Sequence, residues 1–315
     1  MASKEHQDLV VLAAWMYYDE RLTQGQIARK LNLSRVSVTR LLQKARHEGI
    51  VEVRMTKPLP MQYDLARRLQ ATYGLKDAVI VKRYDSWDET LEAVGQTAAE
   101  HLNQVIFPGC RLGVIGWSRT MGRMFPYLKP AGEAKPSVVN ELLGSFMGEN
   151  SRYNISGRIA EVLGAPIEAL PVPVVVRSKA ARDAILEEEA INLALQHARQ
   201  CDIAFVGLGH IGPDWTMVQT GYMTPEQAAA LRRQGAVGDV LVRYFDIEGR
   251  RVHTDLDERI ISIEWEDILR IPYVVAVACG PHKVEPILGA LRGRLCRCLI
   301  TDTETAQQVL QQSGL

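Results

Sequence analysis

Two groups of residues in this chain have types and spacings that could do chemistry. Arg35, Ser37, Thr39, Arg40 and Lys44 recur on one face of a helix predicted to start after Ser34. Short hydroxyls reach phosphates or base edges, and an arginine forks onto guanine O6 and N7, so this face suits duplex DNA. The second group is dispersed. It comprises the run Gly113-Val114-Ile115-Gly116-Trp117-Ser118-Arg119-Thr120, His210 behind Gly207 and Gly209, Asp239 behind Gly235 and Gly238, and Gly280-Pro281-His282-Lys283. Glycines let a backbone approach an anion, and Ser118, Arg119, Thr120 and Lys283 add donors, so this set suits a phosphate.

Each member also has a plainer reading. Glycines close strand ends for turn geometry alone. Lys283 is either a phosphate partner or a solvated first-turn residue, and His282 reads better as a turn residue than as a catalyst. Asp239 either accepts sugar hydroxyls or caps the next segment. Trp117 either stacks on a sugar or fills a rim. The run at 113–120 matches neither the phosphate loop with its Lys-Ser/Thr pair nor the dinucleotide fingerprint.

The elements that must position the first group are two helices joined by a tight turn. Thr23 is a good N-cap for the first, which carries Ile27, Ala28 and Leu31 on one side. Asn32 tolerates the left-handed conformation that the turn needs, Leu33 returns to the core, and Ser34 caps the second helix. Val38, Leu41, Leu42 and Ala45 form that helix's buried stripe. An ordinary helical hairpin with a basic face is the bland alternative, but these features in this order predict a helix-turn-helix. Its DNA-facing residues are Thr23, Gln24, Ser34, Arg35, Ser37, Thr39, Arg40 and Lys44. A preceding helix over 6–20 covers the pair, with Leu9, Val10, Leu12, Ala13, Met16 and Tyr17 on its apolar face. Gly49 ends the recognition helix, 50–54 alternates as a short strand, and Pro58 and Pro60 mark a boundary. The predicted domains are therefore 1–57, which binds DNA, and 58–315, which binds an effector and oligomerises.

A helix over 61–73, read as a connector or a dimerisation element, precedes a change of rhythm. Apolar runs at 78–81, 112–115, 138–143, 172–176, 203–208, 241–245, 273–278 and 298–301 alternate with helices near 88–105, 119–128, 153–163, 179–199, 224–234, 283–293 and 302–312. Continuous apolar strands between helices predict an α/β domain with a largely parallel sheet covered on both faces. The segments 241–245 and 251–253 add a hairpin. Ligands in such sheets sit beyond the carboxyl ends of the strands, where the second group of residues falls.

The net charge is zero, which gives no global attraction to nucleic acid. Residues 1–60, however, hold ten Lys/Arg against six acids, a mildly basic head on a mildly acidic body. A hydrophobic content of 47% with 23% charged residues is that of a soluble globular protein. The five cysteines are scattered, and Cys296-Arg297-Cys298 is too close for the usual zinc spacing, with no histidine pair beside it. Buried thiols in a reducing cytoplasm are expected, with no signal peptide and no membrane span.

Together the pieces resemble the SorC/DeoR-type family of sugar-binding transcriptional regulators. The resemblance runs through Leu22-Thr23-Gln24 to Leu42, the loop Gly116 to Thr120, 201–209, 235–239, 257–260, His282-Lys283 and 299–302, in family order over nearly the whole chain. It implies a cytoplasmic transcription factor that binds operator DNA and assembles as a homo-oligomer, dimer or tetramer. The body would share the fold of ribose-5-phosphate isomerase and glucosamine-6-phosphate deaminase and bind a sugar or sugar phosphate. Carried over by position, Gly116, Trp117, Ser118, Arg119, Thr120 and Lys283 would hold the phosphate, Asp239 would contact sugar hydroxyls, and Gly280 and His282 complete the expected effector-binding set. Two positions depart from the family pattern: Ser118 replaces a glycine, and Cys279-Gly280 replaces a Gly-Gly pair. The alternative function is a sugar-phosphate isomerase or deaminase, for which Asp239 and His210 are the plausible proton carriers. No second carboxylate pairs with them, so no catalytic residue, cofactor or metal is assigned.

Overall fold

The computed structural model describes residues 2–51, 59–116, 118–145, 155–212 and 215–314, with side chains from Gln7 onward. Two units divide the chain, 1–59 and 60–315. In the first, α1 (Ala2–Tyr18) packs with α2 (Gln24–Lys30) and α3 (Arg35–His47). Val10, Ala13, Ala14, Ile27, Ala28, Val38, Leu41, Leu42 and Ala45 form its core. The buried face of α1 runs through Val10, Ala13 and Ala14, so Leu12, predicted inward, is instead 42% exposed. Asn32 takes φ 53, the left-handed turn predicted for it. Ile50 and Val51 pack against this core without strand pairing, and the rest of the predicted strand lies outside the described residues.

The second unit opens with α4 (Met61–Tyr73), which buries Leu65 and Leu69 and ends at the left-handed Gly74. There follow β1 (Asp77–Val81), α5 (Trp87–Val105), β2 (Arg111–Val114), β3 (Val138–Glu141), α6 (Ile155–Leu163) and β4 (Ile167–Glu168). Next come α7 (Lys179–Glu187), α8 (Glu189–Ala198), β5 (Ile203–Gly207), β6 (Gly209–His210), α9 (Thr216–Gln219) and α10 (Pro225–Arg233). The chain continues through β7 (Ala236–Val240), β8 (Arg243–Asp246), β9 (Arg251–Val252) and α11 (Trp265–Arg270). It closes with β10 (Tyr273–Val277), α12 (Val284–Arg292), β11 (Cys298–Asp302) and α13 (Thr303–Gln312).

Seven strands form one sheet in the order β1-β11-β10-β5-β2-β3-β4, and every pairing is parallel. Its central strands β5 and β10 are apolar, as the continuous apolar runs predict for a sheet covered on both faces, while β1, β2, β3, β4 and β11 also carry polar residues such as Asp77, Arg111, Asn140, Glu141, Glu168 and Asp302. Four strands form a second, antiparallel sheet in the order β6-β7-β8-β9.

Three predicted elements change character for identifiable reasons. The run 172–176 makes only isolated bridges, from Pro173 to Ser145 and from Val175 to Ile260; Pro171 and Pro173 have no N–H to give a ladder. The helix expected at 119–128 is a 3-10 segment, Met121–Tyr127, with Pro126 inside it. The helix expected at 179–199 breaks at Glu188, which is extended and lies between two other glutamates. Residues 235–239, read as a strand end, are instead mostly the buried strand β7. Its alternating glycine and polar residues hide the apolar signature by which the other strands are recognised.

Candidate effector pocket and nucleic-acid interface

A cavity of about 250 Å³ sits at the carboxyl ends of β2, β5 and β10. Of the effector residues predicted from sequence, Ser118, Arg119, Thr120, Asp239, His282 and Lys283 line it. Gly116 and Gly280 do not line it, and Trp117 lies outside the described residues. His210, also singled out from the sequence, lines the cavity too, and the structure adds Trp87 at the start of α5, Trp215 and Cys279 to the wall.

Ser118 accepts the Met121 N–H at 3.2 Å and so caps the 3-10 segment. Because no α-helix starts here, an anion at this loop meets no full helix dipole and depends on the donors of Ser118, Arg119 and Thr120. Gly95 lets the segment lie directly on α5, since a Cβ there would run into the Arg123 backbone. Arg123 then reaches Asp88 at 3.0 Å and Glu92 at 3.3 Å. Gly280 has φ 104, a conformation that favours glycine. Its N–H donates to Asp302 Oδ2 at 3.1 Å and Thr305 Oγ1 at 2.8 Å. Its amide is therefore spent inside the fold, and a Cβ there would meet the Trp87 ring.

Lys283 projects its ammonium onto the Leu208 carbonyl at 2.6 Å, 3.3 Å from His210 Nδ1. The His210 and His282 rings lie edge to face with centroids 4.6 Å apart, and Trp87 stands on the far side of His282 at 6.4 Å. Asp239 comes from β7 and is buried. Its Oδ2 accepts the Val242 N–H at 3.2 Å. That bond braces a turn in which Leu241 and Val242 hold φ of 53° and 63°, unusual for bulky side chains. Oδ1 and the buried Trp215 Nε1 make no well-aligned hydrogen bond among the described residues, but the indole N–H acts on the Asp239 carboxyl as a weak donor and pulls its pKa down. Asp239 therefore fills one of its sequence readings, since Oδ2 caps the following turn, and the same carboxyl lines the cavity. Gly209 makes this possible, because a Cβ there would overlap Asp239 Oδ1. Burial pushes the Asp239 carboxyl up to about 6, against the pull of the Lys283 charge and the Val242 N–H. Burial likewise raises the Cys279 thiol to about 12, so it faces the cavity as a neutral group at ordinary pH.

In the helical unit, the predicted DNA-facing residues divide into two classes. Arg35 and Arg40 are exposed. Thr23 is engaged in a capping box with Gln26. Ser34 accepts the Ser37 N–H at 3.0 Å, and its hydroxyl lies 2.9 Å from that of Ser37. Thr39 donates to Gln24 Oε1 at 3.0 Å, a bond that ties α3 to α2. Lys44 pairs with Glu48 at 3.7 Å. Val36, not predicted, stands 62% exposed beside Arg35. Its period places it off the core stripe, and an apolar side chain on such a face can meet a thymine methyl.

The comparisons with known proteins agree along the chain. Residues 57–311 match the family model "Putative sugar-binding domain". The sorbitol operon regulator of Klebsiella pneumoniae is 28% identical, over 99% of this chain and 100% of that protein. The deoxyribonucleoside regulator of Bacillus subtilis is 30% identical over 98% of each chain. The crystal structure of the full-length sorbitol operon regulator SorC from Klebsiella pneumoniae superposes with a TM-score of 0.75 at 29% identity, covering 96% of this chain and 98% of that one. The chain belongs to the SorC/DeoR-type family of sugar-binding transcriptional regulators.

Proposed function

We propose that this protein is a cytoplasmic transcription factor that binds operator DNA through α3 and is switched by a phosphorylated sugar held in the body pocket. One observation carries the effector half of the reading. A single cavity at the strand ends brings the Lys283 ammonium and the donors of Ser118, Arg119 and Thr120 together with the buried carboxyl of Asp239. Donors of that kind suit a phosphate, and a buried carboxylate oxygen suits a sugar hydroxyl. The two relatives named as regulators of sorbitol and deoxyribonucleoside genes point to a polyol, ketose or pentose phosphate.

In the DNA half, Arg35 and Arg40 read bases or phosphates, while Ser34, Thr39 and Gln24 fix the helix that presents them. The protein acts as a homo-oligomer, dimer or tetramer, whose recognition helices enter major grooves about 34–36 Å apart or at multiples of that spacing. Effector binding shifts the assembly between DNA-competent and DNA-incompetent arrangements through unequal affinity for the two. Among the described residues no helix is long and apolar enough to cross a membrane.

The test is thermal unfolding of the full chain with sorbitol, sorbose and deoxyribose, each free and phosphorylated. A ligand that binds only the folded state raises the midpoint. A rise with one phosphosugar, abolished in Lys283→Ala, supports the reading. A rise with the free sugar alone would overturn the phosphate assignment and make Ser118 and Cys279 marks of a remodelled site.

A further inference from the structure

At the opposite end of the seven-stranded sheet from the cavity, three unlike donor atoms face one another. Asp77 and Cys298 are paired in register at the starts of β1 and β11, so their side chains leave the same face of the sheet. His101 comes from α5, which packs across these two strands. One donor atom from each of the three residues lies within 4.8 Å of the other two. His101 Nε2 is 3.5 Å from Cys298 Sγ and 3.1 Å from the hydroxyl of Tyr273, the first residue of β10. Cys298 and His101 are buried, and Asp77 is half-buried. The neighbours on the paired strands, Ala78, Leu299 and Val275, are aliphatic, which concentrates the polar donors in one place.

We propose that Asp77, His101 and Cys298 form a binding site for a zinc-class divalent cation, with the Tyr273 hydroxyl beside the imidazole as the fourth donor. Imidazole nitrogen, thiolate sulfur and carboxylate oxygen together are the donor set of such an ion. A tetrahedral centre with ordinary zinc–nitrogen and zinc–sulfur bonds holds those two atoms about 3.6 Å apart, close to the separation found here. The carboxylate is already oriented: Asp77 Oδ1 accepts the Ala78 N–H at 2.8 Å and Gln70 Nε2 at 3.2 Å, as outer hydrogen bonds do around metal ligands. Lys76, next to Asp77 in sequence, turns its ammonium to the Pro272 carbonyl and the Tyr273 ring. Binding displaces the Cys298 thiol proton to solvent, and the dication with one thiolate and one carboxylate is then neutral. Asp77, the one ligand of the three that is not buried, is the side from which an ion can approach. The ion would clamp α5 to β1 and β11. Sequence spacing misses this site because its ligands come from three separate elements, with His101 and Cys298 197 positions apart.

The test uses the tag-free full chain, stripped with a chelator and titrated with cobalt(II). The expected result is one cobalt per chain, with an intense thiolate-to-cobalt charge-transfer absorption and tetrahedral d–d bands. Both should disappear on adding zinc(II), which should also raise the unfolding midpoint. Cys298→Ser should lose the charge-transfer band. Asp77→Asn, a conservative change at the half-buried position, should weaken cobalt binding on the order of 100-fold even if the serine variant does not fold. No stoichiometric cobalt binding by the wild type, a charge-transfer band that persists in Cys298→Ser, or unchanged affinity in Asp77→Asn would each overturn the proposal.

Discussion

The helix proposed to read DNA and the cavity proposed to hold the effector use opposite strategies to present polar groups. On α3 the two arginines proposed to meet DNA, Arg35 and Arg40, are close in sequence and exposed, and the core stripe on the other side of the helix fixes their direction. In the pocket the polar groups are drawn from strand ends far apart in the chain, and the central carboxylate is buried. An exposed arginine costs little to maintain, so its loss should weaken function without changing stability. A buried carboxylate is a standing cost to the fold, so its removal should damage function and improve stability together. The contrast can be broken at four places.

The largest effect is expected at Lys283. Among the described residues its ammonium is the only lysine charge lining the cavity, and it is held by the Leu208 carbonyl. Lys283→Ala should weaken binding of the effector phosphosugar by about 2–5 kcal/mol, the usual loss when one partner of a buried charge pair is removed. Calorimetric titration would measure it, and operator affinity without effector should stay at the wild-type level. An unchanged effector affinity would remove Lys283 from the site.

Asp239 tests the stability side of the contrast. Its carboxyl is raised from 3.8 to about 6 in the folded protein, so the folded state holds the proton more tightly than the unfolded chain does. That contribution to stability is complete below about pH 4 and is lost as pH rises through 6, leaving a buried charge at neutral pH. Asp239→Asn should therefore be more stable than wild type at pH 7.5, by roughly 2–3 kcal/mol, with the advantage shrinking toward zero near pH 4. It should also lose effector binding. Denaturant unfolding at the two pH values checks the sign; a variant less stable at pH 7.5 would mean that the brace on the Leu241–Val242 turn outweighs the buried charge.

The two regions also differ in how much of them could be read from residues alone. The helical pair was legible because a local pattern specifies it: Thr23, Asn32 and Ser34 punctuate helices whose stripe has one period. The parallel strands were legible for the same reason, as unbroken apolar runs. Of the antiparallel sheet, the β8–β9 hairpin was legible, but β7 was not, because it reads Ala236-Val237-Gly238-Asp239-Val240 and its glycine exists for close packing, with Pro286 and Phe245 against it. In the pocket, the loop 118–120, Asp239 and Lys283 were legible as polar residues at strand ends. Trp87 and Trp215 were not, since an aromatic residue near a helix start carries no signal of which wall it joins. Gly280 shows the converse. Its place beside His282 and Lys283 suggested ligand contact, but only the fold reveals that Asp302 and Thr305 take its N–H.

On the exposed side, Arg35→Ala and Arg40→Ala should each weaken operator binding by about 1–3 kcal/mol at matched salt. Neither should move the unfolding midpoint or the effector-induced shift. If the contact is to phosphate, the loss is uniform across sequences and the salt dependence becomes shallower; if it is to a base, the loss is confined to the cognate operator. Wild-type affinity in both variants would take α3 out of the groove.

The smallest effect is expected at Ser34, where the two strategies meet in one residue. Its hydroxyl both starts α3 and lies on the face proposed to approach DNA. Ser34→Ala should cost the helical unit about 1 kcal/mol from the lost cap. Ser34→Asp separates the roles. Aspartate is as good an N-cap as serine and favours a helix N-terminus electrostatically, so stability should return to the wild-type level or slightly above. The added negative charge would face the phosphate backbone, so operator binding should fall further than in Ser34→Ala. Stability and affinity moving in opposite directions in that variant would show that capping and DNA contact are distinct duties of the same hydroxyl. Recovery of both would show that Ser34 only builds the helix and that the arginines alone meet the DNA.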